Sequence, residues 1–499
     1  MRKLLLIIGL TLVQVSLSWG QWTSPGNGTT YTLRDLVAAS EGCVTHATGS
    51  GAYHINHDLT IAAHDRLTVV PDDFTTIDAD AGGIICRGNV LLTIQGGLVI
   101  DGGDIDVYLE PDSISRLRVV LDHGTEPSRF VHTKMFYMSG IKVIETEVAF
   151  DDCMFQSFDK TETLGAVQYQ NCDPVFVDCI FQGNYGSAIS GVNGSPQIDR
   201  CQFRYNVLSK EDMPQLDFCQ GGDDTLRIRD SRVVGLYPLV SGIRITDTQG
   251  QGDTKVLLQG NFIADNRYGY LQHGDRIDAL FRDNEIVCNR IAPDPTGDGS
   301  GVCVIGTSAN CKATLRHNLL HSNSWGVTVF EEGIVDLGTP DDPGHNIIYD
   351  NQHNHGDGDQ TFALYVGGSH DVNAVGNYWG GTTEAFAESV IYHRPDLGDD
   401  HGLVSYSPIL TVNDWTVEET PSAAAKVYPN PTEGNVTLCM EQVDGFSYEV
   451  FNPMGQRVLH GHADGPTTTL DLGPFAPGIY LVSLKADGQT FPILQRIIR

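Results

Sequence analysis

Between residues 175 and 351 the apolar and polar positions fall into a recurring six-residue phrase: Cys or Asn, any residue, an apolar residue, two of any kind, then Asn. It reads Cys179-Ile-Phe181-Gln-Gly-Asn184, Cys201-Gln-Phe203-Arg-Tyr-Asn206 and Asn261-Phe-Ile263-Ala-Asp-Asn266. It continues as Asn284-Glu-Ile286-Val-Cys-Asn289, Asn318-Leu-Leu320-His-Ser-Asn323 and Asn346-Ile-Ile348-Tyr-Asp-Asn351. Starts at 179, 201, 261, 284, 318 and 346 are unevenly spaced, and the longest interval has room for one degraded copy near Ser231-Arg-Val233. Each unit is too short to bury its apolar residues alone, so units must stack, like above like. Short alternating stretches such as Val175-Phe-Val177 and Arg227-Ile-Arg229 read as strands. Equivalent apolar side chains then fill a continuous interior, and equivalent asparagines at the corners form hydrogen-bonded ladders. Leucine-rich repeats need a leucine-dense phrase that is absent, and propeller blades are longer. The pattern therefore predicts an all-β parallel β-helix solenoid.

At the N-terminus Arg2 and Lys3 precede an apolar run from Leu4 to Val13, with small residues near Ser18 and Gly20. That layout predicts a secretory signal peptide over residues 1–20, cleaved to leave Gln21. The run is about ten residues, half of what a spanning helix needs, and no other window is long enough, so no transmembrane anchor is expected. The chain is 499 residues long, has 55 glycines and carries a formal charge of −32. So acidic a chain is not expected to bind nucleic acid, which demands clustered cations. Eleven cysteines leave an odd thiol and form no CxxC pair, which disfavours zinc. Cys153, Cys179 and Cys201 each precede a phenylalanine by two residues, so they are expected as small side chains stacked in the core.

The opening phrases Tyr31-Thr-Leu-Arg-Asp-Leu-Val37 and Tyr53-His-Ile-Asn-His-Asp-Leu-Thr-Ile61, and the closing Gly376-Asn-Tyr-Trp-Gly380 and Ser405-Tyr-Ser-Pro408, flank these repeats. In that order they resemble the pectate-lyase-like right-handed parallel β-helix proteins of bacteria, over roughly residues 31 to 410. Leu33, Leu36 and Val37 have helical spacing and could cover the first open coil. After a small-residue linker come Val427-Tyr-Pro-Asn-Pro-Thr-Glu-Gly434, Val450-Phe-Asn-Pro-Met-Gly-Gln-Arg-Val458, Pro477-Gly-Ile-Tyr-Leu-Val482 and the basic end Arg496-Ile-Ile-Arg499. This end resembles the type A sorting domain of the type IX secretion system, and its alternating runs read as a small antiparallel β-sandwich. The resemblance implies the type IX secretion machinery as partner, passage through the periplasm, and a secreted or outer-surface destination. The expected layout is signal peptide 1–20, N-terminal cap 21–52, right-handed parallel β-helix 53–412, linker 413–425 and sorting domain 426–499, with few contacts across the linker.

Chemistry is harder to place, and the sequence leaves the catalytic residues unknown. Asp223-Asp224 suggests the paired carboxylates of β-helix glycosidases, but the companion motifs are missing, and an acidic turn is the simpler reading. Asp294-Pro-Thr-Gly-Asp-Gly299 and Asp357-Gly-Asp359 offer oxygen ligands of the kind calcium accepts, yet they match no EF-hand loop; no cofactor is required and no metal site is assigned. From Arg227 to Arg290 nine Lys or Arg face eight Asp or Glu, a local balance of +1. Arg227 and Arg229, two apart on a strand, face the same side. With Arg244, Arg267, Tyr268, Tyr270 and His273 they are the candidate substrate-binding set for an anionic sugar, His273 being the local base candidate because imidazoles titrate near neutrality. Internal pairing with Asp230, Asp247 and Asp265 is the competing reading. Repeat core and export signals suffice for a noncatalytic carbohydrate-binding or surface-interaction solenoid, with extracellular polysaccharide as ligand. A polysaccharide lyase or glycoside hydrolase is the first alternative and a structural or adhesive stalk the second.

Overall fold

The computed structural model describes residues 21–47, 52–70, 82–86, 89–101, 107–111, 116–159, 164–247, 253–290, 299–354, 359–412, 425–429, 432, 434–440, 443–451, 457–477, 479–486 and 493–499. The signal peptide, most of the linker, nearly all of the Asp294 loop and most of the Asp357 loop lie outside the described residues.

Each turn of the chain supplies three strands, as in Ser187–Val192, Gln197–Asp199 and Gln202–Arg204, to three long sheets of 14, 14 and 13 strands. The first sheet runs from Gln21–Thr23 to Ile391–Tyr392, the second from Thr30–Tyr31 to Val404–Ser405 and the third from Val44–His46 to Ile347–Tyr349. Within them, among the described residues, every strand pair is parallel except Val44–His46 with Tyr53–Ile55 at the N-terminal end. This is a right-handed parallel β-helix followed by a small antiparallel unit. Stacking starts before residue 53, because Gln21–Thr23 and Thr30–Tyr31 already pair with the next coil. Helix Leu33–Ala39, N-capped by Thr32, buries Leu33 and Leu36.

The third residue of every phrase points inward. Phe181, Phe203, Val233, Ile263, Ile286, Leu320 and Ile348 are fully buried in one core. Phe155 stacks on Phe181 at 4.1 Å between ring centroids, and Phe181 on Phe203 at 5.1 Å.

The first and last residues of the phrase make the two corners. Between the second and third sheets, the residue ahead of each corner takes a left-handed conformation, as at Asp178, Arg200, Asp230, Asp283, His317 and His345, or is a glycine, Gly260 and Gly376. The corner residue then bonds the next coil: Asn261 to Asn284 at 2.9 Å, Asn284 to Asn318 at 2.9 Å, Asn318 to Asn346 at 3.0 Å and Asn346 to Asn377 at 2.9 Å. Towards the N-terminus the same column holds Ser231, Cys201, Cys179 and Cys153. The thiols of these three cysteines donate to Phe176, Phe150 and Phe130 carbonyls, as the asparagine amides do in later coils. The cysteines are thus buried corner residues, as the sequence led us to expect.

The other corner, between the third and first sheets, carries a second ladder through Asn184, Asn206, Asn266, Asn289, Asn323 and Asn351. The degraded copy at Ser231 has Leu236 where this asparagine should stand. Gln215, from the first sheet, fills the missing rung, accepting from Asn206 and donating to Asn266.

The C-terminal unit has a three-stranded and a four-stranded antiparallel sheet around a separate core of Val436, Leu438, Phe446, Val450, Tyr480 and Val482. The two cores share no residue, yet the units touch: Lys134 Nζ donates to Glu449 Oε1 at 3.1 Å.

Candidate functional site

Strand alternation sends Leu216, Phe218, Ile243 and Ile245 of the first sheet inward, and so sends Asp217 and Arg244 outward, side by side in register. The pair is bidentate, Nε to Oδ1 at 3.0 Å and Nη2 to Oδ2 at 2.8 Å. Partial burial works against the Arg244 charge, but Asp217, and Asp212 beyond it, hold its pKa above the ordinary arginine value. Asp212 comes from the segment leading out of the third sheet and also pairs with Arg267 at 3.0 Å. The Arg267 guanidinium lies 5.4 Å from the centre of the Tyr268 ring, and Lys210 sits 5.0 Å over Tyr237. Two arginines, two carboxylates and a tyrosine thus converge on the outer face of the first sheet, because the connections from the third sheet open onto it.

The other sequence candidates separate. Arg227 and Arg229 do share one side of a strand, but on the second sheet, whose inner face packs against the first sheet: Tyr270 and Phe281 meet at 4.8 Å. Their side chains therefore point away from Arg244, and the expected single groove does not form. Arg229 is bidentate to Asp199, both bonds at 2.7 Å, and Arg227 donates to Gln197 at 2.8 Å. Asp199 keeps the Arg229 pKa raised. Internal pairing does occur, although with Asp199, Asp217 and Asp212 in place of Asp230, Asp247 and Asp265. Tyr270 faces the interior, fully buried, with its hydroxyl on Gln272 at 3.0 Å, so it offers no surface to a ligand. His273 lies on the outer face of the first sheet, in register with Thr246 and Ile305. Asp223 and Asp224 are exposed in the turn ahead of strand Thr225–Arg229, as an acidic turn should be. Among the described residues no group of three His, Cys, Asp or Glu could hold a metal ion.

One feature of the face escaped the sequence reading. In the last coils Trp325, Phe330, Phe362, Tyr365 and Tyr392 form a continuous aromatic cluster, with Trp325 and Phe362 at 4.1 Å and Trp325 and Tyr365 at 5.1 Å. Tyr365 stands in the Arg244 column, through the partners Leu271, Cys303 and Thr328. The signal was there: Phe330 and Tyr365 occupy outward positions of alternating strands, where polar residues are the rule.

Fold and C-terminal unit together define an exported parallel β-helix protein. Residues 426–498 match the family described as the secretion system C-terminal sorting domain. The chain is accordingly a substrate of type IX secretion, carried to the cell surface or secreted. Among the described residues no helix is long and apolar enough to cross a membrane. No curated protein matches the chain. Among solved structures it is similar to the periplasmic alginate epimerase AlgG in a mutant form, with 11% identity over 76% of this chain and 84% of that one and a TM-score of 0.46. It is also similar to ORF18 of Geobacillus virus E2, with 11% identity over 89% and 76% and a TM-score of 0.30. The receptor-binding domain of the siphovirus 9NA tailspike gives 9% over 94% and 88%, with a TM-score of 0.26. None reaches 0.5, and the fold rests on the strand register described above.

Proposed function

We propose that the exported protein is a noncatalytic carbohydrate-binding solenoid that holds an extended extracellular polysaccharide along the outer face of its first sheet. The observation that carries this reading is the Asp217, Arg244, Asp212, Arg267 and Tyr268 cluster, with the Trp325 and Tyr365 cluster on the same face. Coils are about 4.8 Å apart, so Arg244 and Tyr365 stand roughly 19 Å from one another; Cys303 and Thr328 between them are buried, so the two clusters are separate contact points for one chain of several sugar units. Aromatic faces supply flat apolar surface to sugar rings. The pairing of each arginine with a carboxylate changes the expected ligand from an anionic to an uncharged, hydroxyl-rich glycan. A paired guanidinium no longer offers a free fork to a sugar carboxylate, whereas pairs present both donors and acceptors to hydroxyls. The overall charge of −32 also repels polyanions.

The test is a panel of neutral and acidic bacterial and algal polysaccharides, recording both binding and new reducing or unsaturated ends. Retention of a neutral glycan without new ends is expected. Arg244→Ala combined with Tyr268→Ala should weaken it about tenfold or more. Arg227→Ala with Arg229→Ala, on the opposite face, should leave it unchanged. New chain ends would replace this reading with a lyase or hydrolase, and sensitivity confined to Arg227 and Arg229 would move the site to the second sheet.

A further inference from the structure

The outer face of the third sheet is covered where strand alternation alone would leave it to solvent. Phe155, Phe181 and Phe203 point inward, so Met154, Gln156, Ile180, Gln182, Gln202 and Arg204 point outward. Yet Met154 is only 7% exposed, Phe136 in the preceding coil 4% and Gln202 0%. Phe136 and Met154, with Tyr137 and Ile180, form an apolar cluster outside the main core. Burial, aided by Arg232, lowers the Arg204 pKa to about 10, in keeping with a sealed face. One coil beyond Gln202, Arg232 has more exposed surface, although it lies 4.0 Å over the Phe262 ring and burial lowers its pKa too, so the cover thins there.

What covers the face is marked by charge. Lys134, the register partner of Met154, makes its ion pair with Glu449 while only 14% and 24% of the two side chains are exposed. Glu449 lies in strand Phe446–Phe451 of the C-terminal four-stranded sheet. Phe446 and Val450 point into that unit's core, which leaves Glu449 on its outer side. Its register partner Ser483, also on the outer side, is 7% exposed. Two outer faces are therefore buried, and an ion pair joins them.

We propose that the sorting domain, residues 426–499, is seated through its four-stranded sheet on the outer face of the third sheet, from Lys134 to Gln202. The solenoid strip matches the seat: the strands from Lys134 to Gln202 cover four coils, and the docked sheet has four strands. The seat is also built to release. Both amide atoms of Gln202 are buried without a hydrogen-bond partner, a penalty that separation and hydration remove. Freed of the domain, the solenoid presents Phe136, Met154 and Ile180 as an apolar strip.

Zero-length carbodiimide coupling of the chain from Gln21 to Arg499 tests the seat, because an ammonium in contact with a carboxylate is converted to an amide. A peptide joining Lys134 to Glu449 is expected at dilutions where intermolecular products vanish, and Lys134→Arg or Glu449→Gln should eliminate it. Peroxide oxidation of Met154 gives a second reading that tolerates poor coupling. It should run at least tenfold slower in the whole chain than after proteolytic removal of the domain. Absence of the joined peptide together with equal Met154 oxidation rates would overturn the proposal.

Discussion

Replacing Asn318 by alanine and by serine distinguishes a ladder that holds coils together from asparagines that merely suit a turn. Asn318 is fully buried; its Oδ1 accepts from the Asn284 amide side chain at 2.9 Å and from the Asn284 backbone N–H at 3.0 Å. Its Nδ2 donates to Asn346 Oδ1 at 3.0 Å and to the Phe281 carbonyl at 3.1 Å. Alanine strands the Asn284 N–H without an acceptor and strips a donor from the next rung. At about 1–3 kcal/mol for each buried group left unsatisfied, the loss is about 2–5 kcal/mol. Serine is the natural control, since Ser231 occupies the same column and its hydroxyl accepts from the Cys201 N–H at 3.0 Å. It restores the acceptor and the bond to the carbonyl two residues back, which Ser231 donates to Arg229 and Asn318 to Arg316, but not the bonds donated to neighbouring coils, so Asn318→Ser should cost about half as much, roughly 1–2 kcal/mol. Urea unfolding of the chain from Gln21 to Arg499 gives the totals. Amide exchange at Asn284 places the opening, because coils contact only their neighbours. Equal costs for alanine and serine, or an alanine cost within about 0.5 kcal/mol of zero, would refute the ladder's role.

Phe181→Ala removes the middle ring of the Phe155, Phe181 and Phe203 stack and should cost about 3–5 kcal/mol by urea unfolding; a change under about 1 kcal/mol would contradict the buried stack. Asp65 is fully buried and accepts from the Gly26, Gly28 and Thr29 amides at 2.7 to 3.0 Å. Burial alone would raise its pKa, but the bonds from Ser24 and these amides prevail and lower it. A lowered folded-state pKa stabilises above the unfolded value of about 3.9, and that contribution is lost as pH falls through the folded pKa. Asp65→Asn should therefore lower Tm at pH 7 and flatten its acid limb below about pH 4, whereas an unchanged profile would remove Asp65 from the acid transition. Deleting the chain from Tyr428 onward should leave a folded solenoid in the periplasm, and its normal appearance outside the cell would contradict the sorting role.

The solenoid was legible because one phrase marks three structural positions at once: its first and last residues are the rungs of two ladders and its third is the core. Register made the stacked Phe and Ile columns readable without coordinates. Two things were not readable, for definite reasons. Gln215 repairs the ladder from a different sheet, so no local pattern announces it. Tyr268 and Tyr270, two residues apart, look like one face of a strand, but the strand begins only at Tyr270, Tyr268 lies in the connection after the Asn266 corner, and only Tyr270 turns inside. Likewise, period-two spacing correctly puts Arg227 and Arg229 together. The unequal connections between coils hide that Arg244 and His273 belong to another sheet.

The distribution of arginines bears on which face the proposed glycan would take. On the second sheet they are spent on the solenoid itself: Arg129 pairs with Asp151, Arg229 with Asp199 and Arg316 with Asp336, each in the adjoining coil. The exposed pairs contribute little individually, about 0–1 kcal/mol, whereas Arg316 is buried and bonds two carboxylates and two backbone carbonyls. In a chain of charge −32, however, stacking would otherwise set carboxylate above carboxylate, and a cation in the neighbouring coil relieves that repulsion. The third sheet is apolar at one end and covered there. The third sheet also carries outward arginines and aromatics, Arg232 lying 4.0 Å over the Phe262 ring, but on the first sheet the arginines stand beside carboxylates and under connections such as the segment bearing Asp212. The register neighbours of Arg227 and Arg229 are Gln197, Asp199, Leu257 and Gln259, which give a sugar ring no aromatic face. On the first face Arg267 ties Asp212 to the Tyr268 ring, which is why Arg244 and Tyr268 outrank Arg227 and Arg229 as the residues to change first.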